Sequence, residues 1–261
     1  MRGYSPPTFW HNSSCMLFSQ IAQARALTEP WAGRSVHWAA RICAVHICTL
    51  ICVILCCSAN GQQIVVPTVT FTCDFPGSEP DHYVISVAQD GAATYDSNSK
   101  LSSESDAEDS FHSDFTVSQA TRTRVFDLAK GAHYFEGEID TKNKKLASTG
   151  TKVLTYKDAQ KSTRATYNYS PVPSVQELTT FFQSLSTTLE FGHRIGYDLR
   201  YQKLALGDEL KKMEEMSQSG GLEEISAVAP VLQKIVDDPA VIKVVRGRAQ
   251  RLLQAGGNAG K

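Results

Sequence analysis

Tryptophan is absent after position 38: Trp10, Trp31 and Trp38 are the only three in 261 residues. Cysteine is as unevenly placed, with Cys15, Cys43, Cys48, Cys52, Cys56 and Cys57 ahead of residue 58 and Cys73 alone beyond it. A body with one cysteine forms no intramolecular disulfide and no thiolate-rich metal site. An excess of positive charge is missing too. Residues 62 to 261 carry 22 Lys and Arg against 26 Asp and Glu, a formal charge of −4. That balance lacks the electrostatic footprint of phosphate-backbone binding and sets nucleic acid aside as a partner. No phosphate-cradling glycine loop, nucleophile elbow, HExxH helix or paired CxxC is present. The motifs that carry a specific mechanism therefore name no cofactor, no metal ligand and no catalytic residue. A Ser-His-Asp arrangement is assembled from distant positions, so an enzyme without a motif stays open.

The five cysteines from Cys43 to Cys57 invite a metal reading, but apart from His46 and Thr49 the residues between them are Ile, Val, Leu and Ala. Such surroundings disfavour the thiolate that a metal needs, and the paired ligand spacing of a zinc site is missing. An export signal explains more. Arg34 and Arg41 precede an apolar run from Ile42 to Cys57, and Ala59 and Gly61 stand at the −3 and −1 positions of a small-residue cleavage site. The expected mature chain begins at Gln62 and lacks tryptophan; cleavage after Ala59 is the alternative. Residues 1 to 61 are thus read as a leader, with the signal at about 34 to 61 and the translation start expected near Val36. Leu55 ahead of Cys56 gives little support to lipidation. The rival reading is an uncleaved N-terminal anchor, the only membrane contact that the sequence suggests.

Beyond the leader, "PTVTFTCDF" alternates, with Val69, Phe71, Cys73 and Phe75 on one face, as in a half-buried strand with Cys73 in the core. "HYVISVAQDGAATYD" predicts a hairpin turning at Asp90-Gly91. "SNSKLSSESDAEDS" reads as an exposed loop. Its Glu104, Asp106, Glu108 and Asp109 lack the ligand order of a calcium loop. "FHSDFTV" predicts a short strand. Ser118 predicts the cap of a helix ending at Gly131, with Val125, Leu128 and Ala129 as its buried stripe. A second hairpin is predicted around Asp158-Ala159-Gln160, and the two hairpins with their helices suggest a loose strand-strand-helix duplication.

From Ser174 the period changes. "SVQE" has the form of a capping box, Ser174 with Glu177, and Val175, Leu178, Phe182, Leu185 and Leu189 recur at helical spacing. The long helix is expected to break near Gly192 or Gly196 and to stop at Gly220-Gly221. Two shorter helices follow, one on Leu222, Ile225, Val228, Leu232 and Ile235, the other on Val241, Val244, Val245, Leu252 and Leu253. Asp238-Pro239 is read as the start of the second. The expected class is α+β, an antiparallel sheet built from two hairpins with packed helices and followed by a C-terminal helical hairpin. Its expected parts are a sheet domain at 62–172, a helical region packed on it at 173–256 and a tail at 257–261.

Two polar clusters compete as sites. In "HYFEGEID", His133, Glu136, Glu138 and Asp140 lack defined ligand spacing, and Tyr134 and Phe135 read better as anchors after the helix. In "EFGHRIGYDLRYQK", Glu190, His193, Arg194, Asp198, Arg200 and Tyr201 crowd onto successive helical turns. His193, Arg194 and Arg200 are the candidate binding residues, suited to an anion or carboxylate. The competing reading is a solvated face with local pairs such as Arg194 with Asp198.

"SQATRTRVFDLAKGAHYF", "TYNYS" and "LSTTLEFGHRIGYDLRYQKLALGDELKKMEE" resemble an uncharacterised group of secreted bacterial proteins over about residues 63 to 254. The resemblance implies an extracytoplasmic α+β domain with a helical tail and brings no activity, cofactor or catalytic residue. The expectation is a secreted or periplasmic binding or envelope-interaction module, whose partner is an envelope or extracellular protein or ligand. The alternatives are an extracytoplasmic hydrolase without a recognisable motif and a membrane-tethered structural protein.

Overall fold

The computed structural model describes residues 65–98, 110–143 and 145–259. Ala59, Gly61, the apolar run before them and Glu104 to Asp109 lie outside those residues. Six strands, β1 (Thr68–Asp74), β2 (His82–Ala88), β3 (Ala92–Ser97), β4 (Phe111–Thr116), β5 (Thr151–Lys157) and β6 (Ser162–Tyr167), form one antiparallel sheet in the order β4-β3-β2-β1-β5-β6. The helices are α1 (Gln119–Gly131), α2 (Pro173–Tyr201), α3 (Leu206–Gln218), α4 (Ala229–Asp237) and α5 (Lys243–Ala259), with short 3-10 turns at His133–Phe135 and Ile225–Val228. The class is α+β with a helical C-terminal region.

Period-two alternation makes the sheet one-sided. Val69, Phe71 and Cys73 of β1 face inward with Tyr83, Ile85 and Val87 of β2, Tyr95 of β3 and Leu154 of β5, all buried. Thr68, Thr70 and Thr72 alternate onto the opposite face, where Thr70 and Ser86 share a cross-strand hydrogen bond of 3.0 Å. Phe75 departs from expectation: β1 ends at Asp74, and Phe75 is 40% exposed because the chain turns through Pro76 and Gly77 instead of continuing the alternation. Both hairpin turns stand where Asp directs them. Gly91 has φ of +98°, and Asp158 accepts backbone N–H bonds from Gln160 and Lys161 at 2.7 and 2.6 Å.

The suggested duplication is not present. Four strands precede α1 and two precede α2, and β5 pairs with β1 to extend the first sheet. The turn after α1 explains the return: His133, Tyr134 and Phe135 adopt left-handed backbone, with φ of 51°, 54° and 64°, and Phe135 is driven into the core.

Helix α1 begins as its cap predicts, with Ser118 Oγ accepting from the Thr121 N–H at 3.2 Å; Val125 and Ala129 are buried and Leu128 half-buried. Helix α2 does not begin with the capping box. Pro173 opens it after Val172, which caps it without a side-chain bond, and Glu177 instead accepts from Arg124 of α1 at 3.0 Å. Proline has no N–H to satisfy and its fixed φ suits the first helical position, so this start requires no box. All five predicted stripe residues of α2 are buried, and Phe182 stacks on Phe71 with ring centroids 5.2 Å apart.

Neither Gly192 nor Gly196 breaks α2. A Cβ at Gly192 would lie 2.4 Å from Val228 Cγ1, so this glycine admits the 3-10 turn to the helix surface. The break falls at Gln202–Ala205, and α3 then runs to Gln218, followed by Gly220 at φ +75°. Helix α5 begins at Lys243 rather than Pro239, because Asp238 closes a separate turn by accepting from Ala240 N–H at 2.8 Å and, through its carbonyl, from Val241 N–H. That shift leaves Val244 67% exposed, while Val241, Val245 and Leu252 are buried. Glu214 of α3 joins α5 by accepting from Arg248 Nη1 and Arg251 Nε, both at 2.6 Å.

Candidate functional site

The second half of α2 carries Leu189, His193, Tyr197 and Arg200 at helical spacing on one stripe. With Phe111, Ser113 and Asp114 of the edge strand β4 on one side, and Val228, Pro230, Val231 and Lys234 on the other, that stripe floors an open groove of about 990 Å³. Its walls are mostly apolar. Its charged groups are Asp114 on β4, Arg200 on α2 and Lys234 on α4. An apolar cleft with a few convergent polar groups is what a small-ligand site requires.

His193 lies flat on Phe111, with ring centroids 3.9 Å apart and planes within 2°. Its Nδ1 stands 3.9 Å from Glu190 Oε2, beyond hydrogen-bond reach. Glu190 is buried on the neighbouring helical face, where its Oε1 accepts from Tyr95 Oη at 2.6 Å and Ser97 Oγ at 2.7 Å. Ser186 bonds the same tyrosine at 2.9 Å. Burial, and then the Glu190 carboxylate, hold the Tyr95 phenol far above its ordinary range, so it acts as a fixed donor.

The structure separates the three candidate residues. His193 and Arg200 both line the groove, whereas Arg194 turns away, lies over the Phe191 ring at 4.8 Å and donates to Glu209 of α3 at 2.5 Å. The local pair expected between Arg194 and Asp198 gives way to this longer-range one. Asp198 is instead raised by burial and by Glu209 nearby. Tyr201 lines the groove mouth at the end of α2 and is 63% exposed.

The rival cluster disperses. Glu136 pairs with Lys161 at 2.9 Å, Glu138 pairs with Lys142, and His133 is exposed. Asp140 serves the backbone, accepting from Lys142, Asn168 and Tyr169 N–H groups. Burial would raise its carboxyl, but those three donors outweigh it and hold the pKa below the ordinary value. Among the described residues no group of three or more His, Cys, Asp or Glu is placed to hold a metal ion.

Sequence reasoning missed Phe111, Val231 and Lys234, which come from elements remote from α2. The Leu189-His193-Tyr197-Arg200 spacing was a readable signal, since it predicts one helical stripe that excludes Arg194.

A second cation sits in the core. Lys152 on the inner face of β5 is 3% exposed, and its ammonium donates to the carbonyls of Thr149, Gly150 and Asn168 at 2.8, 3.3 and 3.1 Å and to Thr149 Oγ1 at 2.9 Å. Burial lowers its pKa. Four neutral acceptors fill its hydrogen-bonding capacity, so it ties the loop before β5 to the end of β6.

No family model matches the chain, and no curated protein matches it.

Proposed function

We propose that the chain is an exported, non-catalytic binding module of the cell envelope or extracellular space, and that the groove beside α2 takes a ligand with an apolar body and an anionic group. The observation that carries this reading is the make-up of the groove. Leu189, Leu199, Val228 and Val231 provide apolar wall, while Arg200 and Lys234 stand at the same groove as cations. Apolar burial supplies the driving force for such a ligand, and a charge-assisted bond fixes its orientation. Export rests on the leader sequence ending at Ala59 and Gly61.

Two measurements test the reading. Intact mass of the protein from soluble and membrane fractions of an expressing bacterium should give a soluble species spanning Gln62 to Lys261; a membrane species retaining the leader would replace export with anchoring. Calorimetric titration with dodecanoate and with dodecanol should show tighter binding of the carboxylate, with the difference lost in an Arg200→Ala/Lys234→Ala variant. Equal binding of the two probes removes the anionic part of the proposal.

One observation favours a second reading, an extracytoplasmic hydrolase. His193 Nδ1 is next to the Glu190 carboxylate, and Ser113 lines the same groove. A serine, an imidazole and a nearby carboxylate are the kinds of group an acyl-transfer site uses, although no hydrogen bond joins Ser113 to His193 and 3.9 Å separates His193 Nδ1 from the carboxylate. Saturable hydrolysis of a nitrophenyl ester, abolished by Ser113→Ala and by His193→Ala, would establish this reading over the non-catalytic one.

A further inference from the structure

The two edges of the sheet are finished differently. Along β6, Thr163 Oγ1 donates to the Tyr134 carbonyl and the Asn168 N–H donates to Asp140 at 3.1 Å, so the segment after α1 covers part of that edge. Cover, basic side chains, proline and bulges keep an edge from pairing with another chain. Strand β4 shows none of these among the described residues. Its sequence FHSDFT holds no Lys, Arg or Pro, all six residues pair with β3 in unbroken register, and its one acid, Asp114, faces His112 Nε2 at 3.3 Å.

The backbone of β4 therefore presents an open row. The Val117 N–H donates to the Gly91 carbonyl at 3.0 Å. Ladder bonds alternate along an antiparallel pair, so Phe111, Ser113 and Phe115 turn their backbone groups to β3, and the N–H and C=O of His112, Asp114 and Thr116 point away from it. No described residue bonds those outward groups.

The groove lies along this open edge, with Phe111, Ser113 and Asp114 as its β4 wall. A strand added about 4.8 Å beyond β4 would set its side chains opposite Phe111 and Ser113 on the inner face, because cross-strand neighbours share a face. That is the face on which Phe111 stacks against His193. Arg200 and Lys234 line the same groove and form no ion pair with a described residue.

We propose that the ligand is a peptide segment in extended conformation, which adds to β4 as a seventh strand and places alternate apolar side chains and one acidic side chain in the groove. This rests on the groove reading and names its ligand. The row of outward N–H and C=O groups selects a peptide backbone, and the two unpaired cations select the acid. A second copy adding through its own β4 would bring Phe111, Ser113 and Phe115 to the inner face and no acid, so the cations favour a strand of different sequence.

Random peptides long enough to run the length of β4, displayed on phage and selected against the full chain, supply the probe. The synthetic form of an enriched peptide is then scanned by backbone N-methylation, which leaves the protein unaltered. Methylation at every second residue should weaken binding about tenfold or more, and methylation at the residues between should leave it unchanged, because only alternate N–H groups face β4. Amide exchange of residues 111–117 should slow in the complex. Arg200→Ala/Lys234→Ala should weaken binding about tenfold, an effect lost when the peptide's acid is replaced by its amide. Absence of an enriched peptide, or methylation effects without the two-residue period, overturns the proposal. So does a bound peptide that leaves 111–117 unprotected, and protection there that grows with protein concentration in the absence of peptide assigns the edge to a second copy. Dodecanoate titration separates the two readings. Dodecanoate bound with no peptide enriched keeps the groove and removes the strand; periodic peptide binding that is insensitive to Arg200→Ala/Lys234→Ala keeps the strand and removes the groove reading.

Discussion

Helix α2 has two halves with one spacing and opposite fates. From Val175 to Leu189 its inward positions are Val, Leu and Phe, and they close against the sheet and α1. From His193 to Arg200 the continuing stripe carries histidine, tyrosine and arginine, and among the described residues no strand beyond the edge strand β4 completes the sheet to cover it. The difference teaches that a helix stripe becomes core or cleft according to what lies opposite it. The sealed half is held by area removed from water, and the open half by a few aromatic and charged contacts.

The first way to break this comparison is Phe182→Ala, which leaves a void beside Phe71. A loss of about 3–5 kcal/mol in urea unfolding is expected. Next come the two glycines of the open half. Gly192→Ala forces a methyl group against Val228 and should cost about 1–3 kcal/mol. At Gly196 the nearest atom to an added Cβ is 3.9 Å away, so Gly196→Ala should raise stability by up to about 1 kcal/mol through helix propensity. Equal effects at the two positions would mean that α2 does not approach the 3-10 turn as described.

The Glu214 clamp extends the contrast into the helical region. Its hydrogen bond from Arg251 leads the causes that hold its carboxyl below the ordinary value of 4.5, with Arg248 adding to it. A folded pKa below the unfolded one stabilises above the unfolded value and loses that contribution as pH falls through the folded one. Glu214→Gln should therefore cost about 1–2 kcal/mol at neutral pH and reduce the acid sensitivity of unfolding below about pH 4.5. The smallest loss is expected from His193→Ala. Losing the stack on Phe111 should cost under about 1.5 kcal/mol while enlarging the groove. A stability loss as large as that of Phe182→Ala would show His193 to be core.

Every strand and the main helices were readable, because Asp90-Gly91, Asp158 and Ser118 act through bonds to neighbouring backbone, and alternation or helical spacing marks the buried faces. Most misreadings share one cause. Ser174-Glu177, Gly192 and Arg194 each carry a local signal that a remote partner overrode, namely Arg124, Val228 and Glu209 respectively, whereas at Asp238-Pro239 a local turn took the place of the predicted cap. The groove was half legible, since His193 and Arg200 stood out as polar residues on one helix, but its opposite walls come from β4 and α4.

What the sequence determined by itself is which residues prefer strand, turn or helix and which face of each is apolar, because backbone sterics, side-chain capping and hydrophobic period act within a few residues. What only the tertiary structure decided is the use of those faces. The order β4-β3-β2-β1-β5-β6 leaves α2 half covered, and the packing of α3 against α5 brings Glu214 onto Arg248 and Arg251. Both depend on contacts between distant positions, whose energies have no expression in any single stretch of the chain.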